Sequence, residues 1–229
     1  MTENRTVQQK SARRNRVAAA ACFAAALITA GTVGVQTAAA EAAHNSAHRT
    51  AVSARPAAVA AAPGLGSADL VQSEDFPKGL KPVGATVTLN GRQALSACSG
   101  EETMRGLTKG KATGYASVTW TFDTAGLLTE SAANAPAKTT AATWEKQLVA
   151  LVQDCQDEPA GHWRYGAAHT LTTPGGTARW YAAYNGDGAV SGGVAVLRSG
   201  TRVAVVELTG RPTTSVAGIA TAALKRLSS

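Results

Sequence analysis

Three closely spaced strand patterns near the carboxyl end constrain the fold of this chain more than any other feature. β-rich segments run over residues 178–184, 189–198 and 201–208, and they are separated by residues 185–188 and by Ser199-Gly200. Connections this short join antiparallel neighbours, because parallel strands need a crossover of a dozen residues or more. The sequence therefore predicts a run of antiparallel strands.

The remaining elements complete a mixed fold. Short helices are predicted after Ser67 and after Ser99. A long helix after Pro136 and a final helix after Pro212 each carry one apolar stripe at spacings of three and four residues. Further strands are predicted at residues 83–89, 115–122, 127–133 and 163–171. This order predicts an α+β domain with a largely antiparallel sheet and helices packed on one face.

The amino-terminal forty residues have the pattern of an export signal. A basic segment ends at Arg16, an apolar stretch runs from Val17 to Val35, and small residues at 38–40 offer a cleavage site. We expect residues 1–40 to be a signal peptide and the protein to be secreted. Two alternatives stay open: residues 17–35 are retained as a membrane anchor, or Arg13-Arg14 direct twin-arginine rather than Sec export.

Composition sets the domain boundaries. Residues 41–66 are rich in alanine and interrupted by proline and glycine, which predicts a disordered linker. Residues 67–229 then form a single folded domain. The chain carries 22 Lys and Arg against 15 Asp and Glu, but from Glu41 onward 17 basic residues face 14 acidic ones. This near balance argues against a nucleic-acid-binding surface.

The cysteines suggest a structural bridge. If the signal is removed with Cys22, then Cys98 and Cys155 remain, and an even pair in an exported protein favours a disulfide. A loop of about 58 residues would be closed, which contributes about 4 kcal/mol on the chain-entropy model. The alternative is a redox-active or nucleophilic thiol.

No catalytic, metal or cofactor site is predicted. Ser191 lies in a sequence resembling a nucleophile elbow, but no histidine follows it, as the order of an α/β-hydrolase triad requires. Asp154 and Glu158 are a candidate carboxylate pair for a hydrolase, but their positions at the end of a helix favour solvated surface acids. The histidines are not spaced as a zinc site. We therefore expect no enzyme activity.

Aromatic residues are the remaining candidates for a site. Several fall on predicted strands beside Arg164 or Arg179. They can line a cleft for an apolar or sugar-like ligand, with arginine available for an anionic group. The alternative is that they are core residues between sheet and helices. The candidate cleft residues are Trp120, Trp163, Tyr165, Trp180 and Tyr184.

The folded part resembles a family of actinobacterial secreted proteins and lipoproteins related to the extracellular sensor domain of PknH-like serine/threonine kinases. The resemblance rests on Asp75-Phe76-Pro77, the segment Ala97–Gly100, the helix with Trp144 and Cys155, Trp163, and Leu208-Thr209-Gly210. It implies a mixed sheet with flanking helices, a disulfide and a groove for an extracellular ligand. This chain has no kinase domain and one cysteine pair where the kinase sensors carry two.

These observations favour a secreted, non-catalytic ligand-binding or sensor-like domain of the bacterial cell envelope. Its partner would be an extracellular small molecule or envelope component. The alternative is a protein–protein interaction module that modulates a surface or secreted enzyme, and a cell-wall hydrolase is the third hypothesis. No nucleic-acid partner and no cofactor are expected, and membrane contact is expected only if residues 17–35 are retained.

Overall fold

A computed structural model describes residues 64–95, 102–123, 126–159, 161–210 and 213–229. All of them belong to the unit Thr50–Ser229. The predicted signal peptide, most of the predicted linker, Cys22 and Cys98 lie outside the described residues.

Seven antiparallel strands form one sheet in the order β1-β2-β3-β7-β6-β5-β4. Two meanders, β1–β3 and β4–β7, therefore meet where β7 pairs with β3. The predicted antiparallel sheet is confirmed. The strands are β1 Pro82–Thr88, β2 Gly114–Phe122, β3 Leu127–Asn134, β4 Arg164–Thr173, β5 Gly176–Tyr184, β6 Val190–Ser199 and β7 Arg202–Thr209.

In the described part of the chain, three α-helices accompany the sheet. The short α1, Met104–Leu107, begins at Thr103, whose hydroxyl accepts a hydrogen bond from the Gly106 N–H. The long α2 covers Lys138–Asp154, and α3 covers Thr213–Leu227. The helix predicted after Ser67 is instead a 3-10 turn, Ser67–Asp69, followed by a second one at Ser73–Asp75.

The long helices lie on opposite faces of the sheet, which corrects the prediction that all helices pack on one face. On β7, Val203 and Val205 pack in the cluster that contains α2, whereas Ala204 and Val206 pack in the cluster that contains α3. Alternate residues of a strand point to opposite faces. We call these faces the α2 side and the α3 side.

Two hydrophobic cores result. The α3 core joins Trp120, Leu128 and Leu197 to the apolar stripe of α3, for example Ile219 and Leu224. The α2 core joins sheet residues on the opposite face to Trp144, Leu148 and Val152 of α2. Helix α2 packs chiefly on β6 and β7.

An amino-terminal strap, residues 65–80, covers part of the α3 side. Leu65 is 1% exposed, so tight packing begins inside the segment predicted to be linker. Leu70 and Val71 are fully buried. Phe76 contacts the rings of Trp120 and Phe122 edge-on, at centroid distances of 5.2 and 5.1 Å. The strap is therefore part of the folded domain.

Candidate functional site

The five aromatic residues predicted to line one cleft are divided between the two faces. Trp120 is fully buried in the α3 core, and Trp180 packs against the same core. Tyr165 is buried in the α2 core, and Trp163 packs against it. Tyr184 is half-buried beneath the guanidinium of Arg164, which lies 5.8 Å from the ring centroid. The structure therefore brings Trp163 together with Tyr165 and places Trp120 and Trp180 in the other core.

A buried tyrosine–carboxylate pair lies on the α2 side. The Tyr165 hydroxyl donates a hydrogen bond of 2.6 Å to Oε1 of Glu207, whose residue is 7% exposed. Tyr165 is on the edge strand β4 and Glu207 is on the central strand β7. The Trp163 ring contacts the Tyr165 ring edge-on at 4.7 Å. This arrangement fixes a carboxylate acceptor beside a half-buried indole.

A set of seven hydroxyl side chains continues from Glu207 across the sheet. On β1–β3, serine and threonine occupy the α2 side while apolar residues occupy the α3 side. We call this set the hydroxyl face: Thr86, Thr88, Ser117, Thr119, Thr121, Thr129 and Ser131. Thr86, Thr119, Thr129 and Glu207 are directly opposite one another on successive strands. These four residues therefore form a polar row that ends at the carboxylate.

Burial varies over the hydroxyl face. Thr86 and Thr121 are exposed and Thr119 is half-buried, whereas Ser117 and Ser131 are each 2% exposed. The Ser117 hydroxyl is 2.7 Å from that of Thr88. The buried Ser131 hydroxyl has no hydrogen-bond partner among the described residues. A buried hydroxyl without a partner costs about 1–3 kcal/mol.

A second buried carboxylate, Glu130, lies on the α3 side beneath the strap. Its Oε2 accepts a hydrogen bond of 2.7 Å from the Val71 N–H, and the Trp120 indole N–H donates to the Val71 carbonyl at 3.1 Å. Burial raises the pKa of Glu130 to about 8. Its Oε1 has no hydrogen-bond partner within the described part of the chain. Glu130 thus holds the strap as a hydrogen-bonding group rather than as an ion pair.

Two arginines clamp the strap from outside. Arg226 of α3 binds both oxygens of Asp75, at 2.8 and 3.2 Å, and Glu74 at 2.9 Å. These hydrogen bonds raise the pKa of Arg226, and the pKa of Glu74 is lowered by a backbone hydrogen bond and by Arg226. Arg202 of β7 binds Asp69 and also the carbonyls of Leu227 and Ser229. We call these contacts the arginine clasp.

Of the two cysteines in the predicted disulfide, Cys155 lies within the described residues and Cys98 does not. Cys155 ends α2, is half-buried against the α2 core and is not a free thiol. Cys98 belongs to residues 96–101, outside the described residues. The Cys98–Cys155 disulfide therefore stays a prediction.

The residues considered for a hydrolase, Ser191, Asp154 and Glu158, lie in a strand and on the surface. Ser191 is a half-buried residue inside strand β6 rather than on a strand-to-helix turn. Asp154 and Glu158 are exposed, and Glu158 lies 3.6 Å from Nδ1 of His162. Across the described ranges, no group of three His, Cys, Asp or Glu side chains is placed to hold a metal ion.

Sequence reasoning missed Glu130 and Glu207, although a signal was present. Each occupies an inward position in an otherwise apolar alternation: Leu128, Glu130 and Ala132 on β3, and Val205 with Glu207 on β7. An acid at such a position is rare without a structural or functional cause. Reading strand faces position by position would have identified both residues.

The fold and site define an α+β domain with one long helix on each face of its sheet and a polar row on the α2 side. No protein-family model matches the sequence, and no curated protein matches it. Among solved structures, the chain is similar to the extracellular domain of PknH from Mycobacterium tuberculosis, with 12% identity and a TM-score of 0.48. The match covers 75% of this chain and 97% of that domain. At this level, the similarity assigns neither a family nor a function.

Proposed function

We propose that this protein is a non-catalytic ligand-binding or sensor-like domain of the bacterial cell envelope. The observation that carries the proposal is the polar row on the α2 side: hydroxyl groups of β1–β3 lead to the buried carboxylate of Glu207, which Tyr165 holds in place. Such convergent hydrogen-bonding groups beside an aromatic side chain are typical of ligand sites.

Under this proposal, Ser191, Asp154 and Glu158, the residues considered for a hydrolase, have structural roles. A nucleophile elbow presents its serine on a sharp turn, whereas Ser191 is within a strand and its carbonyl accepts a hydrogen bond from the Gly210 N–H. Glu158 and His162 form an exposed i,i+4 pair at the surface. Neither arrangement orients a nucleophile toward a substrate.

We propose a secreted location on the basis of residues 1–40, whose basic, apolar and small-residue segments match an export signal. Within the ranges that the structure describes, no helix has the length and apolarity needed to cross a membrane. Membership in the family related to PknH-like sensor domains is also part of this proposal, and its support is the set of short motifs around Phe76, Cys98 and Cys155.

A thermal-shift screen tests ligand binding. The oxidised, exported protein would be heated with oligosaccharides, phospholipids and small anions, each added separately. A ligand at 100 times its Kd adds about 2.7 kcal/mol to the free energy of unfolding. This corresponds to a rise in Tm of about 5–10 °C for a domain of this size. A rise with one class supports the proposal, whereas no rise with any class contradicts it.

A protein–protein interaction module is the second candidate, and the edge strand β4 favours it. β4 has ten residues, most of them exposed, and among the residues that the structure describes it pairs with β5 alone. An unpaired strand edge can accept a strand from another protein. A photo-crosslinking residue in place of Thr170 should then capture a specific protein on producing cells, and the same residue in place of Lys146 on α2 should not.

A further inference from the structure

Four exposed basic side chains lie at one corner of the domain, between the end of β1 and the start of β2. We call this set the basic corner: Arg92, Arg105, Lys109 and Lys111. The Arg105 N–H donates a hydrogen bond of 2.8 Å to the Gly91 carbonyl, and the Gly110 N–H donates to the Arg105 carbonyl at 2.9 Å. These backbone contacts join the segment after β1 to α1 and to the turn that follows α1.

The charges of the basic corner are not neutralised within the described part of the chain. None of its four side chains forms an ion pair there, whereas Arg198, Arg202 and Arg226 each bind a carboxylate. The guanidinium of Arg105 lies 5.9 Å from the centroid of the Tyr115 ring, so its neighbour is an aromatic ring. The corner can therefore attract a partner of opposite charge.

The local backbone does not explain why a lysine occupies the turn after α1. Among the residues that the structure describes, Lys109 is the one non-glycine residue with a positive φ, at +52°. Glycine and asparagine are the ordinary residues at such a position, because their side chains tolerate the left-handed conformation best. The turn keeps an exposed lysine at a position where glycine would be less strained.

The basic corner is at the end of the sheet where the amino-terminal segment is joined to the fold. Gly114 and Asn134 pair at this end, and Lys111 precedes Gly114 by three residues. A Cβ on Gly64 would lie 2.9 Å from Nδ2 of Asn134, and a Cβ on Gly114 would lie 3.4 Å from the Cβ of Leu65. Chain entry and basic corner are therefore neighbours.

The opposite end of the sheet has a different charge balance. Five exposed acids of the described chain lie there, at the end of β2, at and after the end of α2, and in the β5–β6 turn: Asp123, Asp154, Asp157, Glu158 and Asp187. The exposed basic residues there are Lys78, Lys81 and Arg164. In the sequence from Asn90 to Lys111, by contrast, the four basic residues outnumber the two acids, Glu101 and Glu102.

This arrangement favours a partner whose negative charge is spread over a surface. The four cations are exposed side chains on a corner, so they contact a plane of phosphate groups more readily than they enclose one small anion. The exposed large apolar residues of the described chain, Val83, Leu127 and Val190, all lie toward the other end of the sheet. Binding through the corner would therefore be electrostatic and sensitive to salt.

We infer that the basic corner docks the domain on the headgroups of an anionic phospholipid membrane, with the point of chain entry toward that membrane. The inference goes beyond the proposed function, because the corner shares no residue with the polar row. It also differs from the expectation that membrane contact requires residues 17–35, since the corner is part of the folded domain.

The test compares two quadruple variants of the oxidised, exported protein that lose the same charge. The corner variant carries Arg92→Gln, Arg105→Gln, Lys109→Gln and Lys111→Gln. The matched control carries Lys78→Gln, Lys81→Gln, Lys146→Gln and Arg179→Gln, four exposed residues that form no ion pair among the described residues. A third variant, Arg92→Lys with Arg105→Lys, keeps the charge of the corner. Circular dichroism and Tm verify that each protein is folded.

Binding is measured by co-sedimentation with vesicles of phosphatidylglycerol and phosphatidylcholine in equal parts, and with vesicles of phosphatidylcholine alone. Each basic residue near an anionic surface contributes about fivefold to membrane partitioning. We therefore expect the corner variant to bind anionic vesicles about 100-fold more weakly, and the control to bind within about fivefold of the unmodified protein. The lysine variant should bind like the unmodified protein. Binding should be lost at about 0.5 M NaCl, where the Debye length is about 4 Å.

Four outcomes would overturn the inference. Equal losses in the two quadruple variants would show an effect of net charge, and no binding by the unmodified protein would exclude the contact. Binding that persists in high salt and in the corner variant would point to residues 17–35. Binding of soluble polyphosphate without binding of vesicles would identify a soluble polyanion as the partner. Each outcome leaves the polar row to the thermal-shift screen, so the proposed function is tested separately.

Discussion

Replacing Glu130 by glutamine should change how stability depends on pH. Burial is the largest cause of the raised pKa of Glu130, which moves from its ordinary value of 4.5 to about 8. Asp75 and Asp69 raise it further, whereas the Val71 N–H and Arg226 act in the opposite direction. The folded protein therefore keeps a proton on this carboxyl in a range where the unfolded chain has lost it.

The sign and size of the effect follow from linkage. Between pH 4.5 and about 8, folding takes up one proton, so stability falls by about 1.4 kcal/mol for each pH unit. Over the whole window, this amounts to about 5 kcal/mol. Below pH 4.5 both states hold the proton, and above pH 8 both have lost it, so the Glu130 contribution is constant outside the window.

The Glu130→Gln variant keeps an oxygen that can accept the Val71 N–H but has no charge to bury. Its amide brings N–H groups without a partner, which cost about 1–3 kcal/mol. We expect the variant to be about 2–4 kcal/mol more stable than the unmodified protein at pH 9 and no more stable at pH 4.5. Urea denaturation at pH 4.5, 6, 7.5 and 9 measures this difference.

Glu158→Gln, at an exposed position outside the sheet, is the control for the substitution itself. It should leave the pH dependence of the unmodified protein in place. One result would refute the reasoning: the free energy of unfolding changes equally with pH between pH 5 and 8 in Glu130→Gln and in the unmodified protein. In that case Glu130 is not the group that titrates.

Four further substitutions test single contacts in the site, in the sheet and in the strap. Tyr165→Phe removes the 2.6 Å hydrogen bond to Glu207 and should lower the free energy of unfolding by about 1–3 kcal/mol in urea titrations; an unchanged value would contradict this. Gly192→Ala should prevent folding or cost more than about 4 kcal/mol, because its φ is +107° and a Cβ would meet the Leu208 carbonyl oxygen at 1.9 Å. Gly188→Ala has φ +81° in open space and should cost only about 1–2 kcal/mol, so equal melting temperatures for the two alanine variants would disprove the role of the close approach. Arg226→Ala removes its three hydrogen bonds to the strap and should speed hydrogen exchange of strap amides while leaving those of β6 unchanged.

Most of the secondary structure was predictable, because local signals dictate it. The predicted strands at 83–89, 115–122 and 201–208 agree with β1, β2 and β7 to within a residue or two. The long helix was also predictable, since its apolar stripe is continuous from Trp144 to Val152.

The side on which each helix packs was not predictable from the helices themselves. An amphipathic stripe shows that a helix packs against something, but it does not identify a face of the sheet. The signal was in the strands: β7 has consecutive buried apolar residues from Val203 to Val206, which is typical of a strand covered on both faces.

The candidate site was harder to predict from the sequence than the helix positions, because it depends on the order of the strands in the sheet. Thr129 and Glu207 are 78 positions apart in the chain and become neighbours only because β7 pairs with β3. Likewise, Tyr165 reaches Glu207 from the opposite edge of the sheet. No periodicity in the sequence indicates pairings over such a separation.

The arginine clasp has a consequence for engineering the chain. One nitrogen of Arg202 binds both Asp69, near the start of the folded domain, and the carbonyl of Ser229. The two ends of the fold are thus held at the same point, which is the geometry that circular permutation requires. A permuted chain would have a short linker from Ser229 to Gly64 and new termini in the exposed turn at residues 185–188. It would keep every strand pairing, and the linker would join covalently the two ends that Arg202 now holds by hydrogen bonds.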